Sequence, residues 1–191
     1  MSTVTIIGTG KMGQAIAGVV NQGGNTAELI GHADTDQPVT GDLVVLAVPH
    51  PALADLLATR SEQLAGKVVV DISNPLDFTT FDSLVVPADS SAAAAIAAEL
   101  PQSKVLKAFN TNFAATLASG KVGELPTTVL IAGDDADAKA LLSEVVTGGG
   151  LRAIDVGSLR RARELESLGF LQLTLAVGDK MSWTGGFGVA S

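Results

Sequence analysis

The sequence contains no cysteine and no tyrosine, and it has only two histidines. Without cysteine the chain forms no disulfide, offers no thiolate nucleophile and cannot ligate an iron–sulfur cluster. Two histidines, His32 and His50, are too few to build a histidine metal site, so we expect no metal cofactor. Aromatic residues make up only 4% of the chain. Their scarcity, together with the absence of tyrosine, argues against a tightly bound flavin.

Positive charge is scarce as well. The chain has 12 Lys and Arg against 20 Asp and Glu, a formal net charge of −8. Nucleic-acid phosphates and anionic lipid surfaces repel such a chain, so we expect neither as a partner. The hydrophobic residues, 47% of the chain, come in short runs, and none reaches the roughly 20 residues that span a bilayer. No signal-peptide pattern opens the chain, and these features together predict a cytoplasmic protein.

Predicted strands and helices alternate along the 191 residues, which fit a single domain covering 1–191. Apolar and β-branched runs predict strands at residues 4–7, 27–31, 42–48, 67–73, 104–110, 127–133 and 151–157. Helical spacing predicts helices at residues 11–21, 51–64, 90–100, 136–146 and 159–177, with Ser90 or Ser91 capping the third and Ser158 the last. This alternation predicts an α/β fold, Rossmann-like and doubly wound, with a mainly parallel sheet.

One connection departs from this regular alternation. Only the stretch "HADTDQPVTG" separates the second predicted strand from the third. A crossover between parallel strands needs about a dozen residues or more, so we expect the crossover helix between strands two and three to be missing. A loop fixed by Pro38 takes its place, and the adenosine end of a dinucleotide would lie against that loop.

The stretch "GTGKMGQ" directly follows the first predicted strand and opens the first helix. Gly8, Gly10 and Gly13 give the pattern G-x-G-x-x-G. In this context Gly8 allows the tight turn, Gly10 lets a pyrophosphate approach the backbone, and Gly13 lets the helix pack on the strand. The pattern predicts a dinucleotide site; the alternative is that the glycines serve only the turn.

Four further motifs follow in order: "LAVPHPAL", "VVVDISNPLD", "KVLKAFNT" and "AIDVGSLRRARELESL". Together with the glycine motif they resemble the coenzyme F(420)-dependent family of NADP oxidoreductases, over nearly the whole chain. They are also similar to the cytoplasmic reductase domain of the six-transmembrane ferric reductases. The resemblance implies a Rossmann domain that passes a hydride between NADP(H) and a diffusible, flavin-like small-molecule electron acceptor.

The resemblance also implies which residues contact the cofactor, at the turn after the first strand and at the carboxyl ends of later strands. Beyond the three glycines these residues are Thr9, Lys11, Met12, Val48, Pro49, His50, Ser73, Asn74, Pro75, Asn110 and Thr111. His50 allows three interpretations: a cofactor contact, a proton donor to a carbonyl substrate, or a residue that only starts a helix. The sequence identifies no further catalytic residue.

The cofactor preference depends on residues 31–36. The family pattern after the second strand is Gly-Ser-Arg, whereas this chain has Gly31, His32 and Ala33. Gly31 removes the acid that would repel a 2′-phosphate, and His32 can donate one hydrogen bond. Asp34 or Asp36 could instead accept a bond from a ribose hydroxyl. We expect NADP(H) to be favoured over NAD(H), by a modest factor.

The C-terminal part of the sequence leaves two questions open. Arg160 and Arg163 are spaced to pair with Glu164 and Glu166; alternatively, Arg160, Arg161 and Arg163 form an anion site for a phosphate tail or an acidic partner. Apolar residues on several sides of the closing helix predict a homodimer, which the resemblance also implies. The tail "MSWTGGFGVAS" would cover a planar ring or form a dimer contact.

The sequence leaves two functions open for the whole chain: a reductase, or a dinucleotide-sensing module that catalyses no reaction.

Overall fold

The computed structural model describes residues 1–190, in which strands and helices alternate. The strands are β1 (Thr3–Ile7), β2 (Thr26–Ile30), β3 (Leu43–Leu46), β4 (Val68–Asp71), β5 (Lys104–Lys107), β6 (Lys121–Val122), β7 (Leu125–Pro126), β8 (Thr128–Gly133) and β9 (Arg152–Gly157). The helices are α1 (Lys11–Gln22), α2 (Leu53–Leu64), α3 (Ala92–Glu99), α4 (Ala114–Ser119), α5 (Ala136–Gly148) and α6 (Ala162–Val177).

Seven strands form one sheet in the order β2-β1-β3-β4-β5-β8-β9. Neighbouring strands are parallel except for β5 and β8, which are antiparallel. The predicted Rossmann-like α/β fold with a mainly parallel sheet is confirmed. The reversal at β8 follows from the segment before it, where α4 and a small β6–β7 hairpin were not predicted. A six-residue helix is too short to show helical periodicity in the sequence.

Alternate residues of each central strand enter two separate apolar cores. Val4, Leu43 and Val45 join the side chains of α1, α4 and α5 on one face of the sheet. Ile7, Val44, Leu46 and Val69 join those of α2 and α3 on the other. Successive side chains of a strand point to opposite faces. Because both faces are buried here, the sequence of each of these strands is a continuous apolar run. Both faces of the sheet are therefore covered, as in other parallel sheets.

Helix starts agree only in part with the sequence prediction. Ser91 caps α3, where its hydroxyl accepts a hydrogen bond from the Ala94 N–H at 3.0 Å. Ser158 makes no side-chain cap bond; instead the Leu159 N–H donates to Asp134 at 3.0 Å. A short 3₁₀ turn over residues 159–161 comes first, so the closing helix α6 begins at Ala162. The prediction that Ser158 caps this helix is wrong, because Asp134 supplies the acceptor.

The segment between β2 and β3 contains no helix, which confirms the predicted missing crossover. Two successive turns, closed by Asp34 N to Gly31 O and by Gln37 N to Asp34 O, carry the chain across instead. Arg60 of α2 is 7% exposed and donates to the carbonyls of Asp34, Thr35 and Gln37 over 2.7–3.1 Å. A buried arginine thus fixes a loop that has no secondary structure of its own.

No helix within residues 1–190 is both long enough and apolar enough to cross a bilayer.

Candidate functional site

The strand order of the sheet reverses between β1 and β3, and the glycine turn lies at that point. Gly8 has φ +125°, and a side chain on it would overlap the carbonyl of Ala47. A side chain on Gly13 would overlap the carbonyl of Gly8. A Cβ on Gly10 meets no protein atom within 4 Å. The fold itself therefore requires glycine at 8 and 13, whereas glycine at 10 leaves an open space above the start of α1.

A cavity of about 510 Å³ opens on one side of this turn, between the ends of β1, β2 and β3 and helix α2. The sequence-predicted residues that line it are Gly8, Thr9, Gly10, Gly31, His32, Val48 and Pro49. Arg60 and Asp55 of α2 complete its wall. We call this space the adenosine cavity, after the half of a dinucleotide that the sequence predicts beside the loop between β2 and β3.

A second cavity of about 370 Å³ lies on the other side of the turn. Lys11, Met12, Asn74 and Asn110 line it, together with aromatic side chains that the cofactor prediction did not include. We call this space the acceptor cavity, after the small-molecule electron acceptor that the family resemblance implies. The two cavities thus flank residues 8–12, the turn at which α1 begins.

The C-terminal tail forms one wall of the acceptor cavity. Trp183 packs on Phe113 with ring centroids 5.0 Å apart and planes inclined by 50°. Farther along, the Phe187 N–H donates to Gln172 of α6 at 3.3 Å. The tail therefore folds back on its own domain and brings an aromatic ring, half of it exposed, to the cavity.

Two asparagines that follow β4 and β5 hold each other beside this cavity. Asn74 donates to the Asn110 carbonyl, and Asn110 donates to the Asn74 side chain, both over 2.9 Å. Asn110 also donates to the Leu165 carbonyl of α6 at 2.8 Å. Gly169 of α6 lies directly below, since a Cβ there would overlap the Asn74 side-chain oxygen. Helix α6 thus positions both asparagines.

Phe109, which lines the acceptor cavity, has an unusual backbone. It is 2% exposed and has φ +62°, a conformation that bulky L-residues rarely adopt. Such strain costs about 1–3 kcal/mol and collects at functional sites. The strained turn leads directly into Asn110.

Behind the asparagines lies a fully buried group of charged side chains. The Lys107 ammonium donates to Asp71 at 2.7 Å and to the Ser73 carbonyl at 2.6 Å, and it lies 2.8 Å from Glu166. Glu166 also accepts from the N–H groups of Ala92 and Ala93, at the start of α3. All three N–H donors of the ammonium are used. The two carboxylates carry one more negative charge than the ammonium balances, and the N-terminus of α3 stabilises that charge at Glu166.

Sequence reasoning missed this buried network, although a signal was present. Asp71 and Lys107 are charged residues inside strands predicted to be buried, and charges are almost never fully buried unless paired. In the sheet these two residues are register partners on β4 and β5. The motifs "DISNP", "KAFN" and "RELE" therefore each supply one member of the network.

The expected pairing of the arginines with the glutamates at the start of α6 is wrong. Glu166 faces Lys107 in the interior rather than Arg163. Glu164 pairs with Arg163 at 2.8 Å rather than with Arg160, and its carboxylate also lies 3.9 Å from the Arg161 guanidinium. The 3₁₀ turn that precedes α6 shifts the helical spacing on which the expected pairs depended.

His50 lies outside both cavities that flank the glycine turn. It begins the 3₁₀ turn before α2 and lines a third cavity of about 530 Å³ between α2 and α3. Its Nδ1 atom is buried and has no hydrogen-bond partner among the described residues. Burial lowers the pKa of His50 below 6.5, and Asp71 and Glu166 oppose this shift.

Three of the predicted contact residues, Ser73, Pro75 and Thr111, are buried and line neither the adenosine cavity nor the acceptor cavity. Ser73 is instead tied to Lys107 and Asp71 through its backbone. Among residues 1–190 no group of three or more His, Asp or Glu side chains is arranged to hold a metal ion.

A parallel sheet with a glycine turn at its switch point, opening a helix between two cavities, defines the class of Rossmann-type dinucleotide-binding domains. The chain matches no established family profile. It is 30% identical over 171 residues to the F(420)-dependent NADP reductase of Methanocaldococcus jannaschii, covering 87% of this chain and 76% of that protein. The chain therefore belongs to the family of F(420)-dependent NADP reductases, which are oxidoreductases.

Two further similarities agree with this assignment. Metalloreductase STEAP3 of Rattus norvegicus is 37% identical over 112 residues, which cover 59% of this chain and 22% of that protein. A crystal structure from Arthrobacter sp. FB24, provisionally described as an F(420)-dependent NADP-reductase, superposes with a TM-score of 0.85 at 26% identity and full coverage of both chains. The predicted family and fold are thus confirmed.

Proposed function

We propose that this chain transfers a hydride between NADP(H) and a diffusible acceptor with a flavin-like or deazaflavin-like ring. The observation that carries the proposal is the pair of cavities on either side of the glycine turn. A dinucleotide has two halves joined by a pyrophosphate, so a turn between two cavities suits it. The names of the relatives support NADP as the dinucleotide.

The residues present fit such a cofactor. The open space at Gly10 admits a pyrophosphate, which the free N–H groups at the start of α1 would bind. Gly31 and His32 would contact the adenosine half. Val48 and Pro49 would contact the part of the cofactor that joins its two halves. When bound, the nicotinamide supplies or takes up the hydride.

In this proposal hydride transfer takes place in the acceptor cavity. Asn110 lines it, and its side-chain oxygen is buried without a partner among the described residues. In the proposal the Asn110 side chain holds the carboxamide of the nicotinamide. Phe113 and Trp183 offer aromatic surface to a planar acceptor ring. Hydride transfer between two rings requires mainly their alignment, so no proton donor is assigned, and His50 lies outside this cavity.

The proposal includes a homodimer. The buried side of α6 carries Ala162, Leu165 and Ala176, while Leu171 and Val177 on the same helix are 49% and 45% exposed. In the proposal a second copy of the chain covers these two exposed side chains. Light scattering at micromolar concentration tests this: we expect twice the monomer mass, and a monomeric mass would contradict the dimer.

Oxidation of NADPH in the presence of deazaflavin, flavins, quinones and ferric chelates tests the proposed activity. We expect a deazaflavin or a flavin to support turnover above background. If the protein binds NADPH but no acceptor oxidises it, the chain is a dinucleotide-sensing module and the reductase proposal is wrong.

A further inference from the structure

Asp34 follows the end of β2 by four residues, and its carboxylate turns back to Gly31, beside the glycine turn. The Gly31 N–H donates to its Oδ2 atom at 2.8 Å. A Cβ built on Gly31 would lie 2.9 Å from that oxygen and 3.7 Å from the methyl group of Thr9. Asp34 and Thr9 therefore flank the same point, at the edge of the adenosine cavity.

The backbone around this carboxylate is held in place. The Asp34 N–H donates to the Gly31 carbonyl at 3.1 Å. The Asp34 carbonyl accepts from Arg60 at 2.7 Å and from the Gln37 N–H at 3.2 Å. Since Arg60 is buried and spans three carbonyls of the loop, the carboxylate can leave Gly31 only by rotation of its own side chain.

Little positive charge faces this position. Arg60 is the one lysine or arginine among the described residues that line the adenosine cavity, and its guanidinium is held by three carbonyls of the loop. Asp55 adds a second carboxylate to the wall. A 2′-phosphate at this end of the cavity would therefore meet the carboxylates of Asp34 and Asp55 and a single arginine, whose guanidinium is turned toward the loop.

In Rossmann domains an acid about 20 residues after the glycine motif accepts a hydrogen bond from the ribose 2′-hydroxyl of NAD. Asp34 follows Gly13 at that spacing. We infer that Asp34 limits the preference of this protein for NADP(H): its carboxylate accepts a ribose hydroxyl of NAD(H) and must turn away from Gly31 to admit the 2′-phosphate. The inference rests on the proposed function, in which the adenosine half binds in this cavity.

Calorimetric titration with NADPH and with NADH tests the inference in the wild type, in Asp34→Asn and in Asp36→Asn. Asparagine keeps an oxygen that accepts from the Gly31 N–H but removes the charge. We expect Asp34→Asn to raise the ratio of the NADH Kd to the NADPH Kd by about tenfold, mainly through tighter NADPH binding. Asp34→Ser, which also removes the charge, should shift the ratio in the same direction.

Asp36→Asn is the matched control. It removes the same charge from the same loop, and the Asp36 carboxylate makes no hydrogen bond or ion pair among the described residues. We expect its ratio to change less than about threefold. An equal shift in both variants would overturn the inference, because net charge would then explain it, and a larger shift in Asp36→Asn would overturn it because Asp36 would then be the group that accepts the ribose hydroxyl. An unchanged ratio in folded Asp34→Asn and Asp34→Ser would overturn it as well.

The same titrations separate this inference from the proposed function. If the wild type binds neither dinucleotide, the proposed function fails and the inference falls with it. If the wild type binds NADPH and the ratio does not respond to Asp34, the proposed function stands and only the role of Asp34 is wrong.

Discussion

The ammonium group of Lys107 lies 2.8 Å from the carboxylate of Glu166, and the two side chains are 0% and 1% exposed. This contact joins strand β5 to helix α6, far apart in the sequence. Because Glu166 also binds the start of α3, one buried ion pair links three elements behind the acceptor cavity.

Replacement of Lys107 by methionine leaves Asp71 and Glu166 buried without a counter-ion. We expect Lys107→Met to lower the free energy of unfolding by about 3–5 kcal/mol, as removal of one partner of a buried ion pair does. Urea unfolding measures the loss. Lys104→Met is the control, since Lys104 lies at the exposed start of the same strand and pairs with Asp135 at the surface. Equal losses would contradict the role of the buried network.

Gly169 allows the asparagine pair to lie against α6. We expect Gly169→Ala to displace Asn74 and to lower turnover about tenfold or more, because small displacements disturb reactive alignment. NADPH affinity should change little, since the phosphate turn is untouched. Gly18→Ala is the control: it lies in α1, where a Cβ meets nothing within 4 Å. A Gly169→Ala protein with normal turnover would contradict this prediction.

Gly10 can be replaced without a clash in the free protein, because a Cβ there enters open space. We expect Gly10→Val to lower the melting temperature by only about 2–4 °C, because valine is a poorer N-cap than glycine, and to lose binding of NADPH and of NADH together. Calorimetry and thermal unfolding on the same sample separate the two effects. Retained micromolar affinity would show that the turn is not the phosphate site.

The lowered pKa of His50 predicts a pH dependence of stability. The folded protein takes up the His50 proton at a lower pH than the unfolded chain. The stability that neutral His50 contributes is therefore complete above about pH 6.5 and is lost as the pH falls below that value. We expect wild type to lose more thermal stability than His50→Gln between about pH 7.5 and pH 5. A constant difference between the two proteins would contradict this.

Trp183 forms part of the wall of the acceptor cavity. We expect Trp183→Ala to raise the KM for a deazaflavin or flavin acceptor about threefold to tenfold, because the contact between two aromatic rings contributes about 1 kcal/mol. The Kd for NADPH should be unchanged. Phe78→Ala is a control, since Phe78 is similarly exposed and lies outside both cavities. Equal KM values in both variants would exclude a role of the tail in acceptor binding.

The fold was predictable from sequence because each central strand is a short apolar run between helices. The missing crossover helix could be predicted from loop length alone. The antiparallel β8 could not, since α4 and the β6–β7 hairpin are too short to leave a periodic pattern. Where a strand pairs in the sheet depends on packing that no local pattern contains.

For the candidate site, the sequence indicated the glycine turn and the strand ends that approach it. It did not indicate Arg60, which reaches the 31–37 loop from α2, or Glu166, which turns inward from α6. Both act on residues distant in the chain, and their partners become visible only in the folded structure. The sequence likewise did not indicate that His50 lines a third cavity, because that cavity forms only where α2 packs beside α3.

Single-turnover oxidation of NADPH tests the central claim most directly. The enzyme is mixed with NADPH and a deazaflavin or flavin acceptor, and the nicotinamide absorbance is followed in the wild type and in Gly10→Val. We predict an acceptor-dependent burst in the wild type that is absent in Gly10→Val. No burst in the wild type with any deazaflavin, flavin, quinone or ferric chelate would contradict the account.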